Sequence, residues 1–224
     1  MLRLKKTELE KPLHVALTLD GSKKWAESNK KSLQESFRLK FDKLFDFLQV
    51  QIEQEIPIMT FYLLTKNQDY IQEYIDEMKR FLEKLKNSEY LNKHHIKVSV
   101  VGKWYHLPAD IVELIKQLID ETKEYDTYFL NFCIKYNGQE EIVDACKLLA
   151  RQVQAGKIEI DLINEAMIKE NIYTSYFLPP KLIIKTGSPK NTSLLLWDSV
   201  YAKTVYTNKP WQDFTKKDFM KAIG

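Results

Sequence analysis

Short apolar runs alternate with segments of helical periodicity along most of the chain. The apolar runs predict six strands, at residues 14–19, 56–64, 96–101, 128–134, 182–184 and 204–206. Apolar residues at helical spacing predict helices at residues 32–52, 69–85, 108–122, 139–155, 160–169 and 193–201. Apolar strands separated by helices indicate an α/β fold with a mostly parallel central sheet of about six strands, flanked by helices on both faces.

Composition and charge exclude several classes of protein. The 34 basic and 31 acidic residues nearly cancel, so the chain has no basic surface typical of nucleic-acid binding. The two cysteines, Cys133 and Cys146, are too few for a disulfide framework, and we expect both to be buried. No apolar stretch has the length of a signal peptide or a membrane span. We therefore expect one domain over residues 1–224, located in the cytoplasm.

The loops that follow the predicted strands are where a ligand is expected. In open parallel sheets, ligands bind outside the carboxyl ends of the strands. This rule selects four segments, at residues 20–24, 65–68, 135–139 and 185–193.

The first of these segments, Asp20-Gly21-Ser22-Lys23-Lys24, combines a sharp turn with the start of a helix. A helix N-terminus favours an anion, and the two lysines would add positive charge to a bound phosphate. A carboxylate beside them indicates a metal ion or a proton in the same site. The alternative interpretation is an aspartate that caps a surface helix.

The loop after the fifth strand is also polar. Its hydroxyls and lysines suit phosphate oxygens, with Lys185, Thr186 and Ser193 as candidates. The alternative is an ordinary loop in which Ser193 caps the next helix. A third polar turn carries Glu140 and Glu141, whose place in the first turn of a helix favours a structural interpretation.

Four segments, in the right order, carry a resemblance to a known family. Residues 14–26 (HVALTLDGSKKWA) resemble the opening cis-prenyltransferase motif H-x-A-x-x-M-D-G-N-G-R-W-A. Residues 130–143 resemble its L-N…Y-G-G-R-x-E-I-V segment, and residues 182–187 resemble L-x-I-R-T-G. Residues 194–214 resemble F-L-L-W…Y-A-E…W-P-D-F. The chain thus resembles the undecaprenyl diphosphate synthase-like family.

This resemblance implies a prenyltransferase that joins isopentenyl diphosphate to an allylic diphosphate. It implies that Asp20 is catalytic and helps to hold Mg²⁺, and that the following turn binds the allylic diphosphate. At the position of Lys185 the family has an arginine that binds isopentenyl diphosphate together with a downstream R-x-S motif, for whose serine Ser193 is the candidate. The prenyl chain would lie in an apolar tunnel, for which the expected lining residues are Trp25, Phe37, Phe41, Phe61 and Leu63. We expect the turn at residue 20 and the loop at residue 185 to share one anion-binding mouth above this tunnel. Ordinary core packing is the alternative for these side chains.

The departures from the family pattern concern its charged residues. The Asn, Gly and Arg that follow D-G in the family are Ser22, Lys23 and Lys24. Gln68 stands at the asparagine often given a proton-accepting role. Lys203 replaces a metal-binding glutamate, which weakens the expected Mg²⁺ site. We expect the Lys203 ammonium to supply part of the lost positive charge directly to the diphosphate. The family's R-x-x-G-H-x-x-G motif falls on a segment that keeps none of its defining residues, namely Leu33, Ser36, Phe37 and Lys40.

The sequence thus predicts a divergent prenyltransferase that uses isopentenyl diphosphate or another acceptor. Two alternatives stay open at this point. One is a weak or inactive partner subunit, and the other is a prenyl diphosphate lyase or cyclase. The expected partners are prenyl diphosphates, with no nucleic acid. We expect a homodimer, with a heterodimer of homologues as a second option, and peripheral membrane contact stays open because the ligands are lipids.

Overall fold

The structure, a computed structural model, describes residues 12–65, 72–188 and 192–224. The described residues form one sheet of six parallel strands in the order β3-β4-β2-β1-β5-β6. The strands are β1 His14–Thr18, β2 Ile58–Thr65, β3 Ile96–Val101, β4 Tyr128–Tyr136, β5 Leu182–Lys185 and β6 Lys203–Tyr206. The predicted α/β fold with a mostly parallel six-stranded sheet is therefore confirmed.

Helices cover both faces of this sheet. Those described are α1 Ser22–Asn29, α2 Leu33–Glu53, α3 Gln72–Lys86, α4 Tyr90–Lys93, α5 Ala109–Thr122, α6 Gly138–Gln154, α7 Glu165–Asn171 and α8 Lys216–Ile223. Among the residues that the structure describes, no helix is long and apolar enough to cross a membrane.

Local sequence explains where the long helix α2 begins. The Ser32 side chain accepts a hydrogen bond from the backbone N–H of Glu35, and the Glu35 carboxylate accepts one from the backbone N–H of Ser32. This capping box satisfies two backbone donors that a helix start otherwise leaves unpaired. The helix therefore starts where the sequence predicts, one turn after α1.

The side chains of β1 and β2 divide between two apolar clusters. In β1, Val15 and Leu17 belong to the larger cluster, which packs against α2, α3, α5 and α8, whereas Ala16 belongs to the smaller one. In β2, Phe61 and Tyr62 divide in the same way. Because both faces are covered, the inner strands are apolar throughout rather than alternating.

Two predicted helices differ from the structure. Residues 194–201 form successive turns rather than a helix, because Leu195 has a left-handed backbone with φ of 47°. A non-glycine residue in that conformation cannot continue a right-handed helix. The segment at 160–169 divides into a short 3₁₀ turn and α7, since the Asn164 side chain accepts a hydrogen bond from Met167 N and starts a new helix.

The two cysteines also differ from each other. Cys133 is buried as expected, in the interior of β4, but Cys146 is exposed. Cys146 lies on α6, on the side of the helix that the sheet does not cover, so its prediction as a buried residue is wrong.

Candidate functional site

The carboxyl ends of β1 and β5 are joined by one threonine. The Thr186 hydroxyl donates to the backbone oxygen of Thr18 at 2.8 Å and accepts from the backbone N–H of Asp20 at 3.1 Å. The Thr186 N–H donates to the Thr18 hydroxyl at 3.2 Å. Thr186 is fully buried, so its hydroxyl holds Asp20 in place. The residue predicted to contact a diphosphate has a positioning role in the structure.

Two glycines allow the loops around Asp20 to touch. Gly187 has φ of 75°, and a side-chain Cβ there would lie 2.5 Å from the Asp20 backbone oxygen. Gly21 has φ of 105°, and its Cβ would lie 2.7 Å from Pro210 Cα. Both positions therefore require a residue without a side chain. The turn at residue 20 and the loop at residue 185 share one mouth at the carboxyl edge of the sheet, as the sequence predicts.

The helix α1 begins at this mouth without a side-chain cap. Its N-cap residue is Gly21, which makes no side-chain hydrogen bond, and its first turn has no acidic residue. The first backbone N–H groups of a helix have no partner within the helix, and the helix dipole makes them attractive to anions. The start of α1 is therefore suited to bind a phosphate group.

A cavity of about 230 Å³ opens beside the start of α1. Its polar lining residues are Asp20, Gly21, Ser22, Lys23, Lys40 and Thr65. Its other lining residues are Leu19, Leu33, Phe37, Tyr62 and Leu63. A charged rim above an apolar wall is the arrangement that an amphipathic ligand with an anionic head requires.

The structure separates the predicted tunnel residues into two groups. Phe37 and Leu63 line the cavity. Phe41 and Phe61 are fully buried and pack against other rings, Phe41 against Tyr74 at 5.2 Å. Trp25 lies outside the cavity lining, where its indole N–H donates to the Asp213 carboxylate at 2.9 Å. Phe41 and Phe61 therefore pack in the core, which is the alternative to a tunnel lining that the sequence left open.

Lys40 is a cavity residue that the sequence reasoning did not propose for the site. Its side chain is almost fully buried, and its ammonium lies 4.8 Å from the centroid of the Tyr74 ring. Burial lowers the pKa of Lys40 to about 8, although the negative charge of Asp20 acts in the opposite direction. The signal was present in the sequence, since residue 40 follows Leu33 and Phe37 at the helical spacing of the apolar face of α2.

Lys185 also lies within electrostatic range of Asp20. It is the last residue of β5 and is buried, with its ammonium 5.5 Å from the centroid of the Tyr206 ring. Burial lowers the pKa of Lys185, and the Asp20 charge opposes this effect. Asp20 is thus associated with two buried lysines, and Lys23 lines the cavity beside it.

Other predicted residues lie farther from the cavity. Ser193 lies behind its wall, with its hydroxyl 3.3 Å from the Tyr62 hydroxyl. Lys24 is exposed and does not line the cavity. Gln68 lies outside the described residues.

Lys203 lies at the opposite end of the sheet from the mouth. It is the first residue of β6 and pairs with Leu182, which pairs with Val15. Strands rise about 3.3 Å per residue, so Lys203 lies about 10 Å before the level of Lys185. Within one chain, Lys203 therefore does not supply the positive charge beside Asp20 that the sequence suggested.

The chain matches a family model for undecaprenyl diphosphate synthases over residues 18–224. Its relatives include a geranylgeranyl-diphosphate-specific tritrans,polycis-undecaprenyl-diphosphate synthase of Thermoplasma volcanium, 33% identical across 95% of this chain and 85% of the relative. The enzyme of the same name from Sulfurisphaera tokodaii is 31% identical across 95% of this chain and 84% of the relative.

Two solved structures share the fold. A lavandulyl diphosphate synthase from Lavandula x intermedia, in complex with dimethylallyl diphosphate, aligns with a TM-score of 0.88 at 24% identity, over 95% of this chain and 94% of that one. A probable undecaprenyl diphosphate synthase from Campylobacter jejuni aligns with a TM-score of 0.74 at 22% identity, over 96% of this chain and 94% of that one. The predicted family and its class of activity, prenyl transfer, are confirmed. The chain belongs to the undecaprenyl diphosphate synthase family of prenyltransferases.

Proposed function

We propose that the chain binds an allylic prenyl diphosphate at the mouth beside Asp20 and transfers its prenyl group to isopentenyl diphosphate or another acceptor. The observation that carries this proposal is the cavity, in which Asp20, Lys23 and the start of α1 adjoin the apolar side chains of Phe37 and Leu63. The charged rim would bind the diphosphate, and the apolar wall would hold the prenyl tail.

The diphosphate would bind at the N-terminus of α1. The uncapped N–H groups after Gly21 offer hydrogen-bond donors, and Lys23 adds a positive charge. The Ser22 hydroxyl, which accepts from the Gln212 side chain at 2.9 Å, lies at the same rim. Lys24 is exposed one position further along the helix and could contribute charge at longer range. Lys185 and Ser193 are assigned to the side of the acceptor, as the resemblance implies.

Mg²⁺ fits this site as an ion bound together with the diphosphate. Among the residues that the structure describes, no three His, Cys, Asp or Glu side chains are grouped for a metal ion, and Asp20 is the acidic residue in the cavity lining. Mg²⁺ is commonly held by one or two carboxylates together with substrate phosphates and water. Asp20 would be its protein ligand, and the bound ion would neutralise charge on the diphosphate.

The reaction proposed here breaks the bond between C1 of the prenyl group and the diphosphate oxygen, and its electron pair leaves with the diphosphate. The acceptor then supplies the electron pair for the new bond to C1. If the acceptor is an alkene, loss of a proton restores a double bond, and the departing diphosphate is a base that can accept that proton. Lys23 and the start of α1 would stabilise the charge that develops on the diphosphate.

The relatives support prenyl transfer over the two alternatives. Those named above are synthases, and the lavandulyl diphosphate synthase shows that the same fold accommodates dimethylallyl diphosphate. An inactive partner subunit and a lyase or cyclase are not favoured. Contact with a second copy, contact with a homologue, contact with a membrane surface and a cytoplasmic location stay predictions.

The test is incubation with a panel of allylic diphosphates, from dimethylallyl to geranylgeranyl, with and without isopentenyl diphosphate. We expect a prenylated product, identified by mass spectrometry, and free diphosphate, both dependent on Mg²⁺ and on Asp20. Intact substrate after long incubation with several acceptors would overturn the proposal. Diphosphate release without an acceptor would instead indicate a lyase or cyclase.

A further inference from the structure

A buried lysine lines the inner wall of the proposed substrate cavity. Lys40 extends from α2 and places its ammonium over the ring of Tyr74, a buried residue of α3. The Tyr74 hydroxyl donates to the backbone oxygen of Leu63 in β2. Lys40 and Leu63 both line the cavity. Lys40 and Leu63 are buried, whereas Asp20 and Lys23 are exposed, so these contacts link α2, α3 and β2 on the inner wall of the cavity.

Behind Lys40, the space between α2 and α3 is filled by aromatic rings. Phe37 and Tyr74 lie with ring centroids 5.1 Å apart, and Phe41 lies 5.2 Å from Tyr74 and 5.7 Å from Phe81. All four side chains are buried. Interiors packed in this way leave no room for a long hydrocarbon chain unless side chains move.

The charge on Lys40 adds to this barrier. A buried ammonium has already lost much of its hydration, which is why burial lowers the pKa of Lys40 to about 8. An alkyl chain that passes the Lys40 ammonium would displace the water that still hydrates it. The chain offers no hydrogen-bond acceptor in exchange, so this displacement costs free energy. A short tail that ends before Lys40 avoids this loss.

The size of the cavity is consistent with a short tail. Its volume of about 230 Å³ is below the roughly 300–1,000 Å³ of pockets that enclose drug-sized ligands. We expect a five-carbon prenyl group to contact the apolar side chains of Leu33, Phe37 and Leu63, which line this cavity.

We propose that Lys40, held over Tyr74, is a specificity-determining residue that limits the site to short allylic diphosphates, with dimethylallyl diphosphate preferred over farnesyl diphosphate. This inference rests on the proposed function, because it assumes that the prenyl tail enters this cavity. To the proposed function it adds a class of substrate, short allylic diphosphates, and the residue that selects this class, Lys40.

The test compares the wild type with Lys40→Ala, which shortens the barrier, and Lys40→Met, which keeps most of its length without the charge. Binding is measured by calorimetry with the thiolo analogues of dimethylallyl and farnesyl diphosphate, and turnover with the two diphosphates themselves. We expect the wild type to prefer the five-carbon compounds. Lys40→Ala should reduce this preference by about tenfold or more through better binding of the fifteen-carbon compound, and Lys40→Met by a smaller factor.

Lys84→Ala is the matched control. Lys84 also places its ammonium over an aromatic ring, that of Phe45 at 4.5 Å, but it is exposed on α3 and does not line the cavity. Its variant should keep the wild-type preference. An unchanged preference in both folded Lys40 variants would overturn the inference, and so would a wild type that binds both analogues equally. If the wild type binds neither analogue, the proposed function itself is wrong.

Discussion

Two clusters of polar residues flank the sheet on opposite sides, and they differ in how completely their charges are paired. In the first, Asp20 faces a cavity with Lys40 and Lys23. In the second, the buried Glu141 accepts hydrogen bonds from the Tyr136 hydroxyl at 2.5 Å and from Thr174 N at 3.2 Å.

The second cluster extends into a network without a cavity. The Thr174 hydroxyl donates to the Asp198 carboxylate at 2.8 Å, and the Lys169 ammonium donates to the same carboxylate at 2.8 Å. The polar groups of this network are hydrogen-bonded to one another, as buried polar groups with a structural role must be. The Asp20 cluster instead presents charges to an open space, where a ligand would complete them. Burial of a charged group alone therefore does not mark a functional site; a buried charge beside a cavity does so more strongly.

The first prediction concerns Asp20, and its expected effect is the largest. Asp20→Asn keeps the shape of the side chain but removes the charge that would bind Mg²⁺ with the diphosphate. We expect turnover to fall by about 100-fold or more, a loss typical for a group that stabilises charge in the transition state, while thermal unfolding changes little. Asp46→Asn, on the exposed side of α2, is the matched control. Equal turnover in the two variants would remove Asp20 from the mechanism.

The second prediction concerns the stability of the other cluster. Glu141→Ala leaves the Tyr136 hydroxyl and Thr174 N without their acceptor, and each unsatisfied buried group costs about 1–3 kcal/mol. We expect the free energy of unfolding in urea to fall by about 3 kcal/mol, with turnover per folded molecule within about threefold of wild type. Glu140→Ala, which removes the ion pair with Lys103, should cost about 1 kcal/mol or less. A Glu141 variant that is stable but inactive would contradict the structural role.

The third prediction uses the pH dependence of Lys40. Its pKa falls from 10.5 to about 8 on folding, which corresponds to about 3 kcal/mol of destabilisation by the charged form. The unfolded chain binds more protons between these two pH values, so the stability of the wild type rises with pH across that window. The ring of Tyr74 offsets part of the cost.

We therefore expect Lys40→Met to be more stable than the wild type at pH 7, by about 1–3 kcal/mol. The difference should shrink at pH 9.5, where the wild-type lysine is neutral in the folded state. Urea unfolding of both proteins at the two pH values checks this expectation. A difference that does not change with pH would mean that the charge of Lys40 costs no stability.

The fourth prediction separates two lysines that the family resemblance assigned to the same site. Lys185 lies beside Asp20, so we expect Lys185→Ala to lower kcat/KM by about tenfold. Lys203 lies at the other end of the sheet, so Lys203→Ala should change kcat/KM by less than about twofold. A larger effect at Lys203 than at Lys185 would contradict the placement of the site within one chain.

Sequence reasoning was most successful where local chemistry determines structure. The strand β3 is predicted with the bounds it has in the structure, because six residues dominated by β-branched side chains end at a glycine. The prediction of a helix at residues 194–201 was wrong, because the apolar spacing there fits a helix but Leu195 adopts a left-handed backbone conformation. Hydrophobic spacing carries no information about a single backbone conformation that long-range packing imposes.

The same limit applies to the site. The sequence placed Asp20 and the turn after it at the carboxyl end of β1, where the structure has them. It could not tell which aromatic residues line a cavity and which pack against one another, because Phe37 and Phe41 occupy equivalent apolar positions of α2. Only one of the two lines the cavity.

The sequence by itself determined the parallel sheet, the strand ends at which a ligand would bind, and the meeting of the turn at residue 20 with the loop at residue 185. Patterns along the chain suffice for these features, because parallel strands bring their carboxyl ends to one edge. Only the tertiary structure decided that Lys40 lines the cavity, that Glu141 is fully paired and that Lys203 lies at the far end of the sheet. The position of a charge relative to an empty space depends on helices and strands that are distant in the sequence.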